Sequence, residues 1–171
     1  MFPGTTKTRR YVVKLSDFGL SAIVSDTRGA RLRAGTPWSA PENDDSVSVS
    51  AARAKKVDIY MFALLCVWVL FREKLVDLPQ HESDEEVLAE YRRLLASNGA
   101  SETIGITALR NGGPHALRNF VARFVGAMPK PHPCLLSFLD RALASDPDER
   151  LSSLEGIELL SRCGQRYVTC I

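Results

Sequence analysis

The four cysteines, Cys66, Cys134, Cys163 and Cys170, show no C-x-x-C spacing. That excludes the usual zinc-ribbon and dithiol redox motifs. The three histidines, His81, His115 and His132, stand apart from one another in Pro/Gly/polar surroundings, so a zinc site lacks its ligand pairs. Excess charge of one sign is also missing. Lys and Arg number 22 against 20 Asp and Glu, a net charge of +2, which says little about partners and gives no argument for nucleic acid or an anionic membrane; neither is expected as a partner. No apolar h-region opens the chain, so no secretory signal is read. The opening MFPGTTKTRR is basic and Thr-rich like a transit peptide, but strand pattern follows it at once. There is no internal repeat and no low-complexity tract. No apolar run reaches the roughly 20 residues of a membrane span. Cysteine usage fits a reducing compartment, cytoplasmic or nuclear.

What is present is an ordinary globular composition, 45% hydrophobic and 25% charged in 171 residues. That length suits one domain, or one large lobe of a bigger one. Its centre is Val57–Phe71, VDIYMFALLCVWVLF, without charge from Ile59 to Phe71 and without a helix breaker. The apolar residues there do not keep to one face of a helix, which predicts a central helix buried on every side. A short apolar run is equally compatible with a pair of core strands. Cys66, inside the run, reads as a small hydrophobe.

Around this run the pattern is mostly helical. Tyr11–Leu15 alternates as a short strand, with Pro3-Gly4 as a turn before it. Ser16–Ser50 is largely irregular, rich in Gly, Pro and Arg, and Asp44–Ser50 reads as a flexible polar insert. Ser83 and Glu86 form a capping box for a helix whose apolar face is Val87, Leu88, Tyr91, Leu94 and Leu95, ended by Asn98-Gly99. After a Gly/Ser/Asn-rich interval, Leu117 to Met128 is amphipathic and is stopped by Pro129. A third such helix covers about Cys134–Ala144. Ser152 and Glu155 make a second capping box, for a last helix to about Arg162.

Ser16-Asp17-Phe18-Gly19 directly follows the strand, and Gly35-Thr36-Pro37 and then Ala40-Pro41-Glu42 come later in the irregular stretch. Strand, D-F-G, polar loop, G-T and A-P-E in this order resemble the activation segment of a eukaryotic protein kinase. Lys56–Ala63 resembles that family's D-[VI]-[WY]-S-x-G helix start, and Asp146–Arg150 its D-P-x-x-R motif. The run LLCVWVLFRE also resembles kinase-like proteins of filamentous fungi. The resemblance covers about Val12 to Leu160. It implies a mainly α fold: a kinase-like large (C-terminal) lobe with a remnant β-hairpin before the activation segment. The whole of 1–171 would be a partial kinase domain, with 1–15 the strand remnant, 16–42 the activation segment and 43–171 the helical body.

The resemblance also implies roles. Asp17 would hold Mg²⁺ bridging the ATP phosphates, a hard oxygen ligand for a hard cation. Phe18 would pack in an apolar column, and Gly19 would free the backbone to turn. These three form the implied ATP and Mg²⁺ site. Thr36, with Pro37 and Trp38, would face a protein substrate, as in serine/threonine rather than tyrosine kinases. Gly35 to Ala40 is one residue shorter than the family's G-T-x-x-Y-x-A-P-E, and Trp38-Ser39 replaces x-Y-x, so the substrate loop should differ in shape. Glu42 and Arg150 would form a buried ion pair, worth about 3–5 kcal/mol if one partner is removed. Ser25 and Thr27 lie where activation phosphosites lie, with Arg28, Arg31 and Arg33 as phosphate partners or simply a solvated loop. Asp58 would anchor the core to the H-R-D loop.

The Gly-rich loop, the V-A-I-K lysine and H-R-D do not occur in these residues. The expectation is that the reading frame continues upstream of an internal Met1, or that the gene is a remnant. Without those groups the chain alone should be inactive, and a pseudokinase-like protein-interaction module is the alternative. Asp58 should then cap its own helix or lack a partner. Apolar surface meant for the missing segment should be exposed.

Overall fold

The computed structural model describes residues 29–32, 37–43, 48–113, 115–130 and 132–168. The expected strand Tyr11–Leu15 lies outside them. Two short strands, β1 (Ala30–Arg31) and β2 (Ser48–Val49), pair antiparallel, with Ala30 opposite Val49 and Arg31 opposite Ser48. The rest is helix: α1 (Ala51–Val76), α2 (Glu85–Asn98), α3 (Ile104–Asn111), α4 (Ala116–Gly126), α5 (Pro133–Ala142) and α6 (Ser153–Val168). The fold is mainly helical, as the periodicity predicts.

α1 starts earlier than expected. The residues read as a flexible insert contribute β2 and the cap: Ser50 is extended and its hydroxyl accepts from the Arg53 N–H at 3.4 Å. Asp58 therefore lies two turns inside the helix and does not cap it. Val57, Tyr60, Leu64, Val67, Phe71 and Leu75 are buried at helical spacing, against α3, α5 and α6. The expectation of burial on every side is corrected here. Phe62, Leu65, Val69 and Leu70 are exposed, because the neighbouring helices cover only one side of α1. At Phe71 the backbone leaves helical geometry (φ −123°, ψ 21°), and its ring meets Phe120 edge-on with centroids 6.0 Å apart.

Beyond α1, Leu78–Gln80 makes a single 3₁₀ turn. The cap of α2 is Asp84, one residue after the expected Ser83. Its carboxylate accepts from the N–H groups of Glu86 and Val87, while Ser83 donates its own N–H to the Glu82 carboxylate. At the other end Gly99 takes φ 68° and ψ −174°, a backbone state open essentially to glycine alone, and the helix stops there.

α3 is the helix that patterning misses. It is short, and Gly105 lowers its propensity. The glycine is required: a Cβ there would lie 2.0 Å from the Leu75 carbonyl oxygen, so α3 crosses the end of α1 at backbone contact. α4, α5 and α6 follow as amphipathic helices, with α5 between its two neighbours. The second capping box forms as expected: Ser152 donates its N–H to Glu155 at 2.7 Å, and the Glu155 N–H returns to the Ser152 hydroxyl at 3.3 Å. Phe120, Phe138, Leu64, Leu75 and Leu109 are among the fully buried side chains of the resulting core.

Candidate functional site

Residues 37–43 have little regular structure of their own. They are held against the helical body by groups that come from distant parts of the chain. Ala40 is buried in the main core, and a turn closes behind it with the Asn43 N–H on the Ala40 carbonyl at 3.0 Å.

The strongest attachment is Glu42 to Arg150. The guanidinium meets the carboxylate as a fork, Nη1 to Oε1 at 2.5 Å and Nη2 to Oε2 at 2.8 Å. Its other donors are used as well. Nε donates to the Ala144 carbonyl at 2.6 Å, and Nη2 also donates to the Ser145 carbonyl at 3.0 Å. The guanidinium lies over the Tyr60 ring, 4.6 Å from its centroid. The Arg150 side chain is 0% exposed, so the ion pair works in low dielectric and its geometry is fixed on every side. Burial is also the main cause that pushes the Tyr60 hydroxyl pKa up, with the Arg150 charge opposing it.

Two further contacts hold the front of the segment. Arg110, from α3, donates Nη1 to the Pro37 carbonyl at 3.0 Å and to the Ser39 carbonyl at 3.2 Å. Trp38 stands edge-on to Trp68 of α1, with centroids 6.0 Å apart and planes at 88°. The Pro37 and Trp38 side chains are half-buried, so the segment presents a ledge built from backbone as much as from side chains. Behind it, the turn Pro147–Glu149 is tied to the start of α1 by Arg53 on the Asp148 carboxylate at 2.6 Å and Lys56 on the Asp148 carbonyl at 3.2 Å.

Of the residues expected to form sites, the structure thus brings Glu42 to Arg150 and places Pro37 and Trp38 beside them. Asp17, Phe18, Gly19, Ser25, Thr27 and Thr36 lie outside the described residues. Asp58 is exposed on α1, and among the described residues its carboxylate has no partner. Partial burial without compensation pushes its pKa up.

Arg110 and Trp68 are the contributors that motif reading passed over, and Tyr60, inside the helix-start motif, carried no expected role. Trp68 sits in the apolar run, where nothing distinguishes it from core. Arg110 acts on carbonyl groups, which every residue carries, so no side-chain pattern announces it.

A polar hollow of about 340 Å³ lies elsewhere, between the loop before α2 and α4, lined by Glu82, Ser83, Asp84, Ala116, Asn119 and Arg123. Its walls are already paired: Arg123 meets Glu82 at 2.7 Å. Among the described residues no group of His, Cys, Asp and Glu could hold a metal ion. No helix among them is long and apolar enough to cross a membrane. No protein-family model and no solved structure matches the chain.

Proposed function

We propose that the chain is part of a serine/threonine-type protein kinase large lobe, whose complete form transfers phosphate from ATP to protein hydroxyls. The observation that carries this reading is the Glu42–Arg150 fork. It joins the glutamate of A-P-E to the arginine of D-P-x-x-R across 108 residues. Such a strap is what a substrate-facing segment needs. The segment must hold one shape against an incoming peptide, and a bidentate buried pair fixes both position and direction.

In this reading Asp17 holds Mg²⁺, which neutralises charge on the phosphates, and Phe18 and Gly19 set its orientation. That assignment rests on the order of the motifs. Thr36, Pro37 and Trp38 face the protein substrate, with Arg110 and Trp68 behind the ledge. Phosphoryl transfer needs several positioned groups at once, and these 171 residues include no Gly-rich loop, ATP lysine or H-R-D. As a separate polypeptide they have no kinase activity.

The test has two arms. The reading frame is extended upstream, and the longer polypeptide is assayed for Mg–ATP-dependent phosphorylation with and without Asp17→Asn. Activity lost in the variant is expected. An extended frame without an H-R-D-like loop overturns the enzyme reading, and ATP turnover by the 171-residue chain that Asp17→Asn abolishes overturns its inactivity.

The second reading is a pseudokinase-like interaction module, and the exposed apolar face of α1 favours it. A melting temperature unmoved by Mg–ATP, together with capture of a defined protein partner, is the outcome expected of a module.

A further inference from the structure

An unbroken chain of side-chain hydrogen bonds joins the ledge, residues 37–43, to α2. Arg93 meets the Glu90 carboxylate as a fork, Nε to Oε2 at 2.6 Å and Nη2 to Oε1 at 2.7 Å. Oε1 also accepts from Asn111 Nδ2 at 2.9 Å, which carries the chain from α2 to the last residue of α3. Asn111 Oδ1 accepts in turn from Arg110, from Nε at 3.3 Å and from Nη2 at 3.4 Å. The remaining nitrogen of that guanidinium, Nη1, holds the Pro37 and Ser39 carbonyls. Every nitrogen of the Arg110 guanidinium is therefore used, one edge on Asn111 and one end on the ledge.

The order of donors and acceptors fixes the residue type at each step. A guanidinium only donates, and carboxylates and carbonyls only accept. Arg110 and Glu90 therefore need between them a group that accepts on one side and donates on the other. A carboxamide does this, and its two partners decide which way it points. Asn111 is exposed, so its identity is a matter of these bonds rather than of packing. The Glu90 side chain, at the α2 end, is only 16% exposed and is held by Arg93 from behind. The backbones beneath the chain lie close together. At Gly112 a Cβ would lie 2.5 Å from Val87 Cγ2 and 3.0 Å from Val87 Cα, so the end of α3 rests directly on α2.

We propose that Glu90 and Asn111 are positioning residues for the ledge. They aim the Arg110 guanidinium at the Pro37 and Ser39 carbonyls, and so make α2 a lever on that segment. A protein bound against α2 that shifts Glu90 releases the Asn111 amide. Arg110 then loses the contact that fixes its Nε edge, and Nη1 its aim at the two carbonyls. Such coupling needs a physical link whose loss at one end is felt at the other, and this chain of bonds supplies one. The chain stands without the kinase reading; only its consequence, control of the surface offered to a protein substrate, rests on that reading. Amide exchange tests the chain with no substrate present, so the two can fail separately.

The test is hydrogen exchange at single backbone amides of the 171-residue chain, followed by NMR. The Asn43 amide, bonded to the Ala40 carbonyl, reports the ledge, and the Gly156 amide, bonded to the Ser152 carbonyl at the start of α6, is the control. Arg110→Ala should speed exchange at Asn43 about tenfold. Asn111→Asp sets a second carboxylate against Glu90, so the new side chain turns away and exchange at Asn43 should rise about threefold. Adding Glu90→Gln should restore the parent rate, because the new amide donates where the new carboxylate accepts. In the Arg110→Ala background Asn111→Asp should add nothing, since its effect passes through the missing guanidinium. Gly156 should keep its rate throughout. Exchange at Asn43 that ignores either single change overturns the proposal. So does an Asn111→Asp effect that persists without Arg110, one that Glu90→Gln fails to reverse, or an equal acceleration at Gly156, which would make the change global.

Discussion

Arg150 shows how much one side chain can be made to hold. Every guanidinium nitrogen has an acceptor on Glu42, Ala144 or Ser145, and its face is covered by Tyr60. Removing the carboxylate alone leaves this charge buried and half-satisfied. Glu42→Ala should therefore cost about 3–5 kcal/mol in urea unfolding, and Glu42→Gln less, because the amide oxygen still accepts. Arg150→Lys should not rescue the site. A lysine ammonium has three donors at one point and cannot span a fork and two carbonyls. A lysine variant as stable as the parent would show that the fork geometry is dispensable. Gly105 is the other residue whose identity is dictated, here by shape. Its missing Cβ is replaced by the Leu75 carbonyl, a backbone atom that cannot rotate away. Gly105→Ala should force α3 from α1 and cost at least about 1–3 kcal/mol, as overpacking does, despite alanine's better helix propensity.

At the scale of elements, α2 and α3 are fastened by Glu90. Its carboxylate accepts from Arg93, within α2, and from Asn111 at the end of α3 at 2.9 Å. These hydrogen bonds, Arg93 first, hold the Glu90 pKa down to about 2. A carboxyl depressed in the folded state takes its proton more readily when unfolded, so its contribution is complete above the unfolded pKa and disappears as pH falls through the folded value. Stability should fall between about pH 5 and pH 2, and Glu90→Gln should flatten that slope in urea titrations at stepped pH. An unchanged slope would remove Glu90 from the acid response. The same pair of helices marks what the sequence makes legible. α4, α5 and α6 can be read because each has one apolar face and a proline or a cap at its end. α3 cannot, because Gly105 and its short length hide a helix chosen by contact with α1. The cap of α2 moved from Ser83 to Asp84, since both can accept and only the path of the incoming chain decides between them. In the candidate site, Glu42 and Arg150 were legible through their motifs, whereas Arg110 was not.

For the whole molecule, hydrophobicity along α1 says how much apolar surface exists but not which part its neighbours cover. The buried side is closed by α3, α5 and α6. Among the described residues the main core is drawn from Ala40 and from Val57 to Leu151. The described members of that core all lie after Gly29. A chain beginning at Gly29 should therefore keep its helical circular dichroism and a single cooperative thermal transition. It should keep the Glu42–Arg150 strap too, so Glu42→Ala should destabilise the shortened chain by the same amount as the full one; changes at sites that share no partners are additive. It should also keep the same mass by sedimentation, since the exposed apolar residues of α1 all lie after Gly29. A broad, non-cooperative melt of the shortened chain would mean that residues 1–28 supply part of the core. A cooperative melt with altered association would mean instead that they reach the outer face of α1. The two outcomes separate a contribution to folding from a contribution to assembly.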